Sequence, residues 1–192
     1  RTQHDNGGRV LIKTIEANSH ATIAFIDGAD DVVFDDTYDV YEWHLVNLHP
    51  ATNDEGISFQ VNAVDASGFN ETTTSSFYIN KNYEDGSDEG HAYVTDYDQQ
   101  QATGYIRLCN DVGNEDEESV SGVLTLYNPA NTTFTKHFLS RMNENNASDI
   151  SIDTFAQGNI DITDAIDEIS FKFTSGAIDL GTIYMYGVKK NV

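Results

Sequence analysis

The chain has 192 residues, with 32 Asp and Glu against 10 Lys and Arg, for a formal net charge of −22. A surface of that sign repels phosphate backbones and anionic head groups, so nucleic-acid and lipid-surface partners are not expected. No run approaches the roughly 20 apolar residues of a membrane-spanning helix. Ten Phe, ten Tyr and a hydrophobic share of 39% supply enough apolar material for one core, which separates the chain from acidic disordered tails. The lone Cys109 excludes an intrachain disulfide framework and a multi-thiolate metal site. The opening RTQHDNGG is polar and carries no pattern of a secretory leader.

In chain order, alternation of apolar and polar residues predicts strands at 10–16, 21–26, 40–48, 57–64, 76–79, 105–108, 120–127, 134–138, 149–155, 169–174 and 181–188. In 40–48 the pattern puts Tyr41, Trp43 and Leu45 on one face and Val40, Glu42, His44 and Val46 on the other. In 57–64, Ile57, Phe59, Val61 and Ala63 alternate with Ser58, Gln60 and Asn62, as in a half-buried strand. In 120–127, Leu124 and Leu126 oppose Val123 and Tyr127, and Gly122 marks a bulge or a close backbone approach. Phe134 and Phe138 share a parity, as do Ile169, Phe171 and Phe173.

Gly-containing turns from Gly7-Gly8 to Leu180-Gly181 fall between these strands, and Pro50 and Pro129 read as strand exits. The only helical candidate is a turn or two at 160–166, with Thr163 as cap. The acidic, Tyr-rich segment 81–101 reads as a long loop inserted in one domain that spans residues 1–192. About ten short strands with turns at this spacing predict an all-β, antiparallel, jelly-roll-like sandwich.

Carboxylates cluster at Asp27/Asp30/Asp31, Asp35/Asp36/Asp39, Glu84/Asp85/Asp88/Glu89, Asp96/Asp98, and Asp111 with Glu115–Glu118. Such loops are chemically suited to Ca²⁺, yet none has the spaced ligand pattern of a dedicated calcium loop, and solvated acidic loops are the expectation. A carboxylate pair for glycoside hydrolysis cannot be picked out of a sequence, because its mark is a separation in space. The histidines His4, His20, His44, His49, His91 and His137 lack the spacings of a transition-metal site. Trp43 reads as a core anchor before a sugar-stacking platform. Cys109 reads as a small half-buried residue with no His nearby in sequence. Gly86 and Gly90 stand among acids, the wrong sign for a phosphate loop, and the sequons at Asn70, Asn131 and Asn146 are read as chance. The residues therefore assign no catalytic, cofactor-binding or metal-ligating position and point to a non-enzymatic binding or structural role.

Three blocks in fixed order carry a family resemblance: DTYDVYEWHLVNLHPATND at 36–54, DVGNEDEESVSGVLTLYNPANTTFTKHF at 111–138, and AIDEISFKFTSGAIDLGTIYMYGVK at 165–189. Together they resemble a family of tailed-bacteriophage virion structural proteins, common in marine phages and often described as minor tail proteins, over roughly 15–189. The departure lies mainly in 81–101. The resemblance implies a non-enzymatic virion component, made in the host bacterial cytoplasm. It would sit on the outer surface as capsid decoration or in association with tail or fibre. Its expected partners are other virion proteins, major capsid or tail, and further copies of itself. The alternatives are a carbohydrate-binding sandwich for host-receptor recognition, drawing on Trp43, the tyrosines of 78–105 and Ca²⁺ loops, and a polysaccharide-degrading enzyme.

Overall fold

Strands account for most of residues 8–189, the part described by the structure, a computed structural model. His4 and Gly7 lie outside the described residues. The strands are β1 (Arg9–Glu16), β2 (Ile23–Ile26), β3 (Tyr38–Pro50), β4 (Ile57–Ala63), β5 (Thr73–Tyr83), β6 (Glu89–Tyr93) and β7 (Gln100–Ala102). They continue with β8 (Ile106–Arg107), β9 (Val120–Tyr127), β10 (Lys136–Asn146), β11 (Ile150–Ile160), β12 (Ile166–Phe173) and β13 (Ile178–Lys189). A nine-stranded sheet runs β1-β13-β3-β9-β10-β11-β5-β6, with β7 also paired to β5, and a four-stranded sheet runs β2-β12-β4-β8. All pairings are antiparallel.

From β1 to β5 the chain changes sheet at every step, and it does so again from β12 to β13. This places β1-β13-β3-β9 over β2-β12-β4-β8, the double Greek key of a jelly roll. The hairpin β10–β11 and the strands β5 and β6 then widen the first sheet beyond β9. The layers meet through aromatic rings: Trp43 against Phe25 and Phe171 at 6.4 and 6.3 Å, and Phe138 edge-on to Phe59 at 5.1 Å. Spacings in that range are those of favourable edge-to-face and tilted pairs.

The parity expected of β3 holds. Tyr41, Trp43 and Leu45 are buried, and Val40, His44 and Val46 face outward. Gly122 is the expected close approach, since a Cβ there would lie 2.7 Å from Met142 Cα across the ladder. Pro50 ends β3, and Pro129 follows β9 as a strand exit.

Four expectations are corrected. The described residues form thirteen strands and not about ten, because β6 and β7 arise from the segment read as a loop. Segment 81–101 is a hairpin with a tight turn, in which Tyr83 N–H donates to Asp88 O at 3.1 Å and Gly86 takes a φ of +70°. The stretch 160–166 holds no helix; β11 runs to Ile160 and β12 begins at Ile166. Phe134 is not on a strand: Asn131 Oδ1 accepts the N–H groups of Thr133 and Phe134, and this turn leaves the Phe134 ring 69% exposed.

β4 departs from the half-buried reading, for it is buried on both faces. Its polar residues are covered by the chain itself. Gln60 Nε2 donates to the carbonyls of Glu71 and Gly104 at 3.1 and 3.0 Å, and Tyr105 donates its hydroxyl to Ser170 on β12 at 3.2 Å. Lys172 lies 4.0 Å over the Tyr105 ring. The small sheet thus has its outer side closed at its centre, and the large sheet keeps an open one.

Candidate functional site

The predicted acidic clusters resolve into turn geometry. Asp27 Oδ1 accepts Phe34 N–H, Asp35 Oδ1 accepts Thr37 N–H and Asp85 Oδ1 accepts Ser87 N–H, each at 2.8 Å. Asp98 accepts Phe77 N–H at 2.9 Å and the Tyr93 hydroxyl, and Asp88 pairs with Lys81 at 3.1 Å. Glu118 folds back to accept Glu115 N–H at 2.7 Å. Asx-type bonds of this kind stabilise turns, which accounts for the acids between strands without a ligand. Among the described residues no group of three or more His, Cys, Asp or Glu is arranged to hold a metal ion.

The histidines are dispersed. His20 Nδ1 accepts Asn18 N–H at 2.9 Å, His49 Nε2 lies 3.1 Å from Glu115 O, and His44 Nε2 lies 2.9 Å from Glu42. His91 and His137 are exposed on strands. Trp43 is fully buried, in keeping with a core anchor, and its indole N–H has no hydrogen-bond partner among the described residues.

One chemically loaded cluster lies inside the fold. Glu144, on the inward side of β10, is 1% exposed and accepts the N–H groups of Asn110 and Asp111 at 2.9 and 3.1 Å. Burial pushes its carboxyl up to about 7 against these bonds, which favour the charged form. The Cys109 thiol hydrogen-bonds Glu144, accepts Ile57 N–H at 3.2 Å and is raised well above its ordinary value, mainly by burial. Cys109 is therefore fully buried rather than half-buried, and its thiol is held in the form that does not attack. Arg107 closes the group by donating to Cys109 O and pairing with Asp111 at 2.8 Å. The cluster pins the link between β8 and β9 onto β10.

Phe155 and Tyr78 pack in parallel on the outer side of the nine-stranded sheet, with ring centres 5.1 Å apart. They belong to a cross-strand row, Val123–Arg141–Phe155–Tyr78–Tyr93, that crosses β9, β10, β11, β5 and β6. The Arg141 guanidinium lies 5.2 Å from the Phe155 ring centre and grips both Asp153 oxygens at 3.0 and 2.9 Å. Towards the other edge, His44 meets the Tyr186 ring at 4.9 Å, and Arg9 pairs in two-pronged fashion with Glu42. Between β9 and β11 the surface dips into a depression of about 330 Å³ lined by Val123, Thr125, Leu139, Phe155 and Gln157. The arrangement is broad, shallow and aromatic, with the charges at its centre, Glu42 and Asp153, each paired with an arginine.

Sequence reading placed His44 and Glu42 on this outward side of β3, but missed Arg141, Asp153, Phe155, Tyr78 and Leu139 as one face. The register that aligns them comes from the β10–β11 hairpin, and the signal that could have found it was the shared inward parity of Phe138, Ser140 and Met142, which leaves Leu139 and Arg141 on the other face. Neither a protein-family model, nor a curated protein, nor a solved structure matches this chain.

Proposed function

We propose that the protein is a non-enzymatic structural component of a tailed-phage virion, displayed on the particle's outer surface as capsid decoration or in association with tail or fibre. The observation that carries this reading is the open outer side of the nine-stranded sheet, a face suited to lying against another surface, set on a jelly roll whose second sheet is covered at its centre by its own chain. The ordered blocks at 36–54, 111–138 and 165–189 that resemble virion proteins support it independently. They contribute β3, β9, the first residues of β10, β12 and β13, so the resemblance lies largely in strands of the sandwich. The acidic exterior supports it as well, since a net charge of −22 keeps such a protein off the packaged nucleic acid during assembly.

The alternative, a carbohydrate-binding module for host recognition, loses the support of Trp43, which lies in the core. Its remaining support is the aromatic chemistry of the same open face. Peptide mapping of purified particles, together with antibody labelling of intact ones, tests the main reading. The protein is expected in the particle and accessible on its outside. Its absence from particles, or its presence only after they are opened, would refute the assignment.

A further inference from the structure

We propose that the outer face of the nine-stranded sheet is the surface on which a second copy of this chain docks, face to face about a twofold axis. The inference does not depend on the virion reading. It rests on charge, composition and area.

Two copies each carrying −22 repel one another at any distance shorter than the screening length, so contact is favoured where the local charge is cancelled. The carboxylates carried outward by the strands of this face are Glu42, Asp153, Glu16 and Glu89. Glu42 is paired with Arg9 and Asp153 with Arg141. Glu16 and Glu89 sit on β1 and β6, the two edges of the sheet. The two strand carboxylates in the middle of the face are thus both paired, while Asp116 and Glu117 stand at one end of it beside Val46 and Thr182, and Glu84 near another accepts from Asn145.

Composition adds to this. Protein interfaces are enriched in Tyr, Phe and Arg and depleted in Asp, Glu and Lys. The face presents Tyr78, Tyr184, Tyr186, Phe155 and Arg141, with Leu139 50% exposed at its centre and Tyr93 58% exposed near one edge. Around them stand neutral groups such as Asn80, Asn143, Gln157 and Thr125, which can bond across a wet interface.

Area is sufficient. The eight strands of the sheet's main path, at about 4.8 Å spacing, make a face about 34 Å wide. The eight residues of β9 extend it about 27 Å along the strands. The plan area is therefore about 900 Å², above the roughly 800 Å² per partner of a standard stable interface. Face-to-face sheet packing about a twofold uses the same patch on both copies, so that a residue i that meets j is matched by j meeting i.

The test is sedimentation of the full chain at low and high salt, for the wild type, Leu139→Asp and Gln157→Glu on the face, and Phe134→Asp away from it. The wild type is expected to dimerise, and more tightly at high salt, because screening removes repulsion while the contact itself holds few unpaired charges. Leu139→Asp and Gln157→Glu each add an unpaired carboxylate from both copies to the contact, so each should weaken association by about a hundredfold. Phe134→Asp should leave it unchanged. A monomer under all conditions, a dimer that ignores both face variants, or a dimer that loosens with salt would each overturn the proposal. So would a monomeric protein whose face variants abolish binding to a glycan array, for then the occupant is a sugar polymer.

Discussion

Glu144→Gln isolates the buried carboxylate that ties β10 to the β8–β9 link. In the folded protein burial moves this carboxyl from 4.5 up to about 7. A raised acid binds its proton more tightly folded than unfolded, so its effect is absent below the unfolded value. Stability then falls as pH rises towards the folded value and levels off above it. The drop is about 3 kcal/mol, from 1.36 kcal/mol for each pH unit between the two values. Glutamine keeps one oxygen for the N–H groups of Asn110 and Asp111, but turns an amide towards Cys109, whose sulfur already accepts from Ile57. That mismatch costs about 1–2 kcal/mol at every pH. The wild type should therefore be the more stable protein at about pH 5, and the variant the more stable by about 1–2 kcal/mol at about pH 8.5. Asp111, Asp167 and Glu168 are also raised, chiefly by burial, and give both proteins a common background slope. Urea unfolding at a series of pH values measures the difference between the two. Parallel profiles with no crossing would show that Glu144 stays ionised in the fold, and the reasoning would fail.

Three further outcomes follow from the same structure. Trp43→Phe should cost about 1–2 kcal/mol in thermal or urea unfolding and Trp43→Ala about 3–5, because the indole N–H makes no bond and only packing is lost. Gly158→Ala should destabilise by more than about 2 kcal/mol in urea unfolding, since its Cβ would lie 2.8 Å from Ser75 Cα, inside the ladder between β11 and β5. The unfolding temperature should rise steadily with NaCl, as the Debye length contracts from about 30 Å at 0.01 M to about 3 Å at 1 M and self-repulsion of the −22 chain is screened. An unfolding temperature indifferent to salt would show that the acids are already compensated.

The sandwich was legible wherever one face of a strand is greasy and the other wet. β3 and β9 obey that rule, and the sides of Trp43, His44, Leu124 and Tyr127 were read correctly from parity. The rule fails where both faces are alike. β4 hides Ser58, Gln60 and Asn62 by bonding Gln60 to loop carbonyls, a satisfaction invisible in the string of letters. β6 is an exposed edge, so its EGHAY has no greasy side and reads as a loop. The far end of β10, MNENN, looks like a turn because the inward residue after Met142 is Glu144, a charge where parity calls for an apolar side chain. Lys136 likewise opens that strand as a buried cation, held by the carbonyls of Phe134 and Thr163 at 3.0 and 3.2 Å. The open face was illegible for a related reason. Arg141, Asp153, Phe155 and Tyr78 come from three strands, and only the pairing register makes them neighbours.

The most direct measurement is a symmetry-resolved image of the particle at a resolution that shows strands. Jelly-roll density is expected on the outside, with the nine-stranded sheet turned towards a neighbouring subunit and Leu139 in the contact. Density inside the shell, or copies whose nine-stranded sheets all face empty solvent, would contradict it.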